Sequence, residues 1–218
     1  MASNSFRKRK ILLARHGQTE WNEIRRFQGR TDIPLNEEGR IQARKLAERL
    51  ASWPVDVVYT SPLERALRTA EAVAARHGKT PVVLDGFTEM NFGSWEGESI
   101  LTLKRQNPQP LKEWFADPFF RLPEGAETWE ELRLRVEGAL QTILSSPEEH
   151  AVIVSHGGII RALFVVLLKM DPHSVWNISA SNCAISGIEI REFQNQLIFS
   201  NDDLHLRDVP EGVALPVW

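Results

Sequence analysis

Short apolar runs alternate with amphipathic stretches along most of the chain. Ile11 to Ala14, Val55 to Tyr59, Val82 to Leu84 and Ala151 to Ser155 are brief and mostly apolar, with Asp56 the one charge in the second run. That is the pattern of strands buried on both faces. Between the first two runs, Ile41, Leu46, Ala47 and Leu50 recur at helical spacing. Asn36 precedes them as a cap, with Glu37 and Glu38 in the first turn. "SPLE" at 61–64 predicts a second helix start: Ser61 as cap, Pro62 in the first helical position and Glu64 closing a capping box. From that helix Leu63, Ala66, Leu67, Ala70 and Val73 would face the sheet. A helix from about Glu127 to Leu144 carries its stripe at Leu132, Val136, Leu140 and Ile143. "HGGIIRALFVVLLKM" after the fourth run predicts a buried helix ended by Asp171-Pro172. Ala184 to Ile190 and Gln196 to Ser200 read as late strands around a turn at Gln194-Asn195. Successive strand–helix–strand units imply parallel strands with right-handed crossovers.

Two stretches break the rhythm. Residues 16–35 lack clean periodicity and contain Gly17, Gly29 and Pro34, so they read as a long loop, often a functional one in a compact domain. Residues 90–126 hold Pro108, Pro110, Pro118 and Pro123 among Trp95, Trp114, Phe115, Phe119 and Phe120. They predict an insertion of short helices over one end of the sheet. The expected fold is α/β: a three-layer α/β/α sandwich with a mostly parallel central sheet and a helical insertion over the C-terminal edge of the strands. With no repeat, low-complexity tract or linker, residues 1–218 read as a single domain, with 90–126 as a lid and 1–9 as a flexible N-terminal arm.

Composition narrows the function classes. The chain has 218 residues, 42% of them hydrophobic and 25% charged, so a core without staples is affordable. Its one cysteine, Cys183, excludes an internal disulfide and a cysteine-built zinc site. A formal charge of −3 offers no basic field for nucleic acid. The basic run Arg7 to Lys10 reads as part of a solvated arm, and the longest apolar stretch, Ala162 to Leu168, is far too short to span a membrane. The expectation is a cytoplasmic protein with no nucleic-acid or membrane partner. Trp176 and the tail Val213 to Trp218 offer apolar surface either to a partner copy or to the chain itself.

The chemistry lies where two strands end alike. "ILLARHG" at 11–17 and "AVIVSHGG" at 151–158 each finish a buried strand on histidine then glycine. Ligands bind outside the carboxyl ends of parallel strands, so His16 and His156 are expected in one crevice. Gly17 and Gly157 are expected to leave N–H groups facing an anion, and the helix starting near Gly157 adds its positive end. The helix after the second strand carries Arg65 in its first turn, near Arg15. Guanidinium matches phosphate because its planar fork donates paired hydrogen bonds and keeps its charge. A single His-Gly is more often a turn, and Arg65 alone a solvated residue; the doubled pattern is the signal. His16 suits a nucleophile whose second nitrogen a loop carbonyl holds. His156 suits a donor to the transferring oxygens. Glu89, just past the third strand, is placed to protonate a leaving alkoxide. His77, His150, His173 and His205 sit in polar or terminal contexts and receive no role.

These residues fall into ordered blocks: "RHGQTEWN" at 15–22, "QGRTDIPLNEEGRIQA" at 28–43, "SPLERALRTA" at 61–70, "EMNFGSWEG" at 89–97 and "VSHGGIIRAL" at 154–163. In that order they resemble the histidine phosphatase superfamily, the phosphoglycerate mutase-like proteins, over nearly the whole chain to about residue 190. The resemblance implies that His16 is phosphorylated, that Arg15, Arg65 and His156 bind the phosphoryl group, and that Glu89 is acid and then base. It implies contacts to phosphate or substrate from Asn22, Gln28 and Gly29, to which the strand-His-Gly pattern adds Gly157. It implies no metal and no cofactor. One departure stands out: "EGAETWEE" at 124–131 puts Ala126 and then Glu127-Thr128 where many small phosphatases of the group carry Gly-Glu-Ser.

The sequence favours hydrolysis of a small phosphorylated metabolite. A mutase needs extra cations in the lid, yet Lys104, Arg105, Lys112 and Arg121 are met by Glu96, Glu98, Glu113, Asp117 and Glu124. The alternatives are a cofactor-dependent phosphoglycerate mutase, a ribazole-phosphate phosphatase of cobamide synthesis, a metal-dependent hydrolase and a non-catalytic module binding a phospho-ligand. Glu89 argues against the last. Sugar phosphates and phosphoglycerate-like acids are equally open as substrates.

Overall fold

A computed structural model describes residues 7–207. Its elements run β1 (Arg9–Arg15), α1 (Glu20–Glu23), α2 (Glu37–Leu50), β2 (Val57–Thr60), α3 (Glu64–Ala75), β3 (Val82–Val83), α4 (Ile100–Gln106), α5 (Pro108–Ala116), α6 (Trp129–Ser145), β4 (His150–Ser155), α7 (Gly157–Leu168), β5 (Ile185–Ile190) and β6 (Gln196–Asp202). Six strands form one sheet in the order β3-β2-β4-β1-β5-β6. β1, β2, β3 and β4 pair in parallel; β5 and β6 are antiparallel additions at one side. The expected mostly parallel sandwich is the observed one.

Both faces of the sheet are buried, which explains the continuous apolar runs. In β1, Leu12 and Ala14 pack with Leu46, Leu50 and Val73 of α2 and α3. Ile11 and Leu13 point the other way, into a cluster with Leu132 and Val136 of α6 and Leu163 and Phe164 of α7. The second cluster continues without a break into the insertion through Phe92, Trp95, Leu103, Leu111, Trp114 and Phe119. The insertion is therefore built on the same core as the sheet.

Several local expectations need correction. Arg9 and Lys10 belong to β1 rather than to an arm, and Arg9 donates to the carbonyls of Ser146 and Glu148. Residues 1–6 and the tail 208–218, with Val213 to Trp218, lie outside the described residues. β3 is only Val82–Val83, exposed at the sheet edge. The loop 16–35 contains α1, whose cap Thr19 and third residue Asn22 form a reciprocal capping box that the sequence reading passed over. The box expected at 61–64 does not form. Leu63 occupies the cap position, the Glu64 N–H donates to Asp32, and Ser61 faces inward. Thr128 and Glu131 make a capping box at the start of α6 instead.

Gly17 owes its identity to packing. A Cβ there would lie 2.4 Å from the Gly39 carbonyl oxygen, and one on Gly39 would lie 2.0 Å from that of Gln18. The turn that follows β1 thus rests directly on the first turn of α2. Neither contact is with a flexible side chain, so the backbone must move to admit a methyl. Gly39→Ala should lower unfolding stability by about 1–3 kcal/mol. The denaturant midpoint should fall at an unchanged m-value, and an unchanged midpoint would contradict this packing.

Candidate active site

The parallel ladder sets Arg15 opposite Ser155, so the residues that follow them, His16 and His156, leave the sheet side by side. Their ring centroids are 5.1 Å apart at a tilt of 58°, and both are buried. The Gly17 carbonyl lies 2.7 Å from His16 Nδ1. A carbonyl only accepts, so Nδ1 carries the proton and Nε2 keeps its lone pair. His156 Nε2 lies 2.8 Å from the Ser61 hydroxyl. Burial, then the nearby Arg65, hold both imidazoles well below the ordinary range, with Arg15 adding to the effect. Both rings are neutral at pH 7.

Guanidinium groups surround the pair. Arg65 is almost fully buried and donates to the carbonyls of Thr31 and Gly29 at 2.8 and 2.7 Å. Arg15 donates to the Ala180 carbonyl at 2.7 Å. Burial pulls Arg65 down to about 10, which leaves it charged. The Nε atoms of Arg15 and Arg65 and the Nδ1 of His156 are buried without a hydrogen-bond partner. Buried polar groups are almost always satisfied, so these unpartnered nitrogens, two of them permanently protonated guanidinium N–H groups, mark a place for a further hydrogen-bond partner.

The crevice they border has a volume of about 320 Å³. Arg15, His16, Asn22, Gln28, Gly29, Arg65, Glu89 and Gly157 all line it. His156 stands behind the lining, fully buried, reaching the site through its contact with His16. Glu89 is the one acid among the described lining residues. Its carboxylate accepts from the N–H groups of Met90 and Gly158 at 2.9 and 3.3 Å, which ties it to the first turn of α7. Asn22 Oδ1 accepts from Thr19, and Gln28 Oε1 accepts from the Thr19 hydroxyl. The carboxamides are thereby held by their oxygens, and both residues belong to the crevice lining. Gly29 has φ of +52°, and a Cβ there would collide with Glu96 at 1.9 Å. The expected free Gly17 N–H is not observed, because it donates to Thr69.

Some residues that build the site were not singled out from sequence. Arg161 lines the crevice, donates to the carbonyls of Gly157 and Ile178, and lies over the Trp176 ring at 4.4 Å. Its signal was its place as the one charge in an otherwise apolar helix. Arg25 and Arg26 line the outer part of the crevice. Glu96 accepts from the N–H groups of Arg30, Thr31 and Phe92, clamping the 28–31 turn to the insertion. Asn182 donates to the His16 carbonyl at 2.9 Å.

The departure at 124–131 also resolves. Glu127 is not at the crevice. It is buried in a pair with Arg135 at 2.7 and 2.8 Å and also meets Arg30. Arg135 in turn donates to the carbonyls of Gly86, Thr88 and Glu89. The pair fixes the segment that carries Glu89. The aromatics of the insertion divide between crevice and core. Phe92, Trp114 and Phe115 line the crevice, while Trp95 and Phe119 are buried in the core that the insertion shares with the sheet.

The neutral histidines make stability pH-dependent. In the unfolded chain both titrate near the ordinary value of 6.5; in the folded chain they take up protons only well below it. The unfolded state therefore binds more protons as pH falls through that window, and stability is lost there. Unfolding free energy should decline below about pH 6.5 by up to ~1.4 kcal/mol per pH unit for each proton. A His16→Asn variant should show a shallower decline, and an identical one would contradict the assignment.

Comparison with known proteins agrees with this geometry. A family model described as the histidine phosphatase superfamily (branch 1) matches residues 11–203. Phosphoserine phosphatase 1 of Hydrogenobacter thermophilus is 31% identical over 198 residues, covering 90% of this chain and 94% of that one. Phosphoglycerate mutase-like protein 4 of Arabidopsis thaliana is 37% identical over 158 residues, 71% of this chain and 69% of its own. Among solved structures, a mycobacterial glucosyl-3-phosphoglycerate phosphatase in complex with VO3 superimposes with a TM-score of 0.82 at 29% identity, covering 88% of this chain and 98% of that one. With its sequence blocks, its fold and its paired strand-end histidines, this chain belongs to the histidine phosphatase superfamily.

Proposed function

We propose that the chain is a phosphatase hydrolysing small phosphomonoesters through a phosphohistidine at His16. It would act as one domain, with residues 90–126 over the crevice. The observation that carries this reading is the set of buried nitrogens without a partner, Arg15 Nε, Arg65 Nε and His156 Nδ1, on residues grouped with a neutral His16. A phosphoryl dianion would supply each with an acceptor. The relatives named for phosphoserine and glucosyl-3-phosphoglycerate act on small phosphomonoesters, which supports the class.

In the first step His16 Nε2 attacks phosphorus in line, forming an N–P bond as the ester P–O bond breaks. Arg15, Arg65 and His156 hold the equatorial oxygens, whose charge they offset through the transition state. Glu89 gives its proton to the departing oxygen. In the second step Glu89 takes a proton from water, the water oxygen bonds to phosphorus, and the N–P bond breaks to release inorganic phosphate. Asn22, Gln28 and Gly29 would steady the phosphoryl group or the substrate, and the start of α7 at Gly157 adds partial positive charge. Lining arginines supply the positive charge that a metal would bring, so the proposal includes no metal and no cofactor.

Hydrolysis rather than mutase chemistry is favoured by the lid. Its lining residues are Phe92, Ile100, Trp114 and Phe115, all apolar; the cations of the outer crevice, Arg25 and Arg26, come from the earlier loop. No described helix is long and apolar enough to cross a membrane. A reducing, cytoplasmic setting belongs to the same proposal, in keeping with a sole cysteine that is buried and unpaired.

His16→Ala should lower turnover by at least ~10³-fold and remove acid-labile phosphate from the protein during reaction; retained turnover contradicts the scheme. Glu89→Gln should cost far more with an alkyl phosphate than with p-nitrophenyl phosphate, whose leaving group needs no proton. Equal losses would remove Glu89 from the acid role. With 3-phosphoglycerate the product should be inorganic phosphate, in the presence of EDTA as in its absence. Isomerisation outrunning release would favour the mutase.

A further inference from the structure

Ser61 is fully buried at the end of β2, and the mechanism above gives it nothing to do. Its hydroxyl has two contacts. It accepts from the Leu63 N–H at 3.2 Å, and it lies 2.8 Å from His156 Nε2. A hydroxyl has one proton to give and two lone pairs. Leu63 occupies one lone pair. Within the described hydrogen bonds the one acceptor offered to the Ser61 proton is His156 Nε2. Were Nε2 itself protonated, the Ser61 proton would be buried without a partner, which is unfavourable. The remaining ring atom, His156 Nδ1, is buried and unpartnered.

We propose that Ser61 is a positioning residue that selects the tautomer of His156. By donating to Nε2 it keeps the proton on Nδ1, so that a neutral imidazole presents an N–H to the phosphoryl oxygens. The opposite tautomer would aim a lone pair at those oxygens and repel them. The arrangement complements that of His16, where the Gly17 carbonyl keeps the proton on Nδ1 and leaves Nε2 free to attack. One ring is set as a nucleophile by an acceptor, its neighbour as a donor by a hydroxyl. Burial, and then Arg65 and Arg15, disfavour a doubly protonated His156 ring, which leaves the choice of tautomer as the controlling variable. Ser61 is itself placed by chain geometry: its carbonyl accepts from the Thr60 hydroxyl, and Leu63 starts α3 two residues on.

The proposal rests on the phosphatase reading for its catalytic consequence but not for its tautomer. The test is long-range 1H–15N correlation NMR of the full chain with 15N-labelled histidine at pH 7.5 and without ligand. His156 is identified by its ring contact with His16. The expected result is a protonated Nδ1 and an unprotonated Nε2 on His156. Ser61→Ala should shift the proton toward Nε2 and lower kcat by about 10- to 100-fold with a smaller change in KM. Ser61→Thr, which keeps the hydroxyl, should recover both. Protonated Nε2 in the wild-type protein overturns the proposal, and that reading needs no variant to fold. A wild-type tautomer in Ser61→Ala, or a shifted tautomer with full turnover, overturns it as well. If His16→Ala keeps its activity, the phosphohistidine scheme falls while the wild-type spectrum still decides the role of Ser61.

Discussion

The site depends on a register. Pairing of β1 with β4 in parallel, with Arg15 across from Ser155, decides that two histidines 140 positions apart in the sequence emerge as neighbours. Slipping that ladder by one residue would turn every side chain of β1 to the opposite face. The slip is opposed by the core itself, because Ile11 and Leu13 fill one cluster while Leu12 and Ala14 fill the other. Packing on two faces thus fixes a spacing of a few ångströms between reactive groups at the sheet's edge.

Around that edge the protein accumulates buried positive charge. Arg15, Arg65 and Arg161 all have their guanidinium groups pulled down by burial, and Glu89 is the described lining acid that faces them. Burying cations with so little counter-charge is unfavourable for folding. In the proposed reaction the same arrangement would become favourable with a phosphoryl dianion bound, so that binding would relieve what folding imposed. Backbone carbonyls of Gly29, Thr31 and Ala180 keep the guanidinium groups aimed meanwhile. Carbonyls orient a cation without neutralising it, unlike a carboxylate partner.

Much of this was legible in the sequence, for identifiable reasons. Strands β1, β2 and β4 read clearly because they are largely buried on both faces, and the doubled strand-His-Gly pattern marked the crevice. Arg65 and Glu89 were readable from their places just beyond strand ends. What escaped was set by tertiary contacts. "SPLE" has the letters of a capping box, but the hydroxyl of Ser61 goes to His156 and Asp32 receives the Glu64 N–H. Gly17 suggested an anion-binding N–H, yet close packing against Gly39 is what demands a glycine. Arg161 and the Glu127–Arg135 pair act through partners far away in sequence, which local patterns do not reveal.

The central claim is that His16 and His156 attend one tetrahedral anion together with Arg15 and Arg65. A crystal structure of the protein with orthovanadate tests it most directly. The account predicts vanadium in line with His16 Nε2, with its equatorial oxygens held by the two guanidinium groups and by His156 Nδ1. Vanadate bound elsewhere, or bound here with either imidazole turned away from it, would contradict the account.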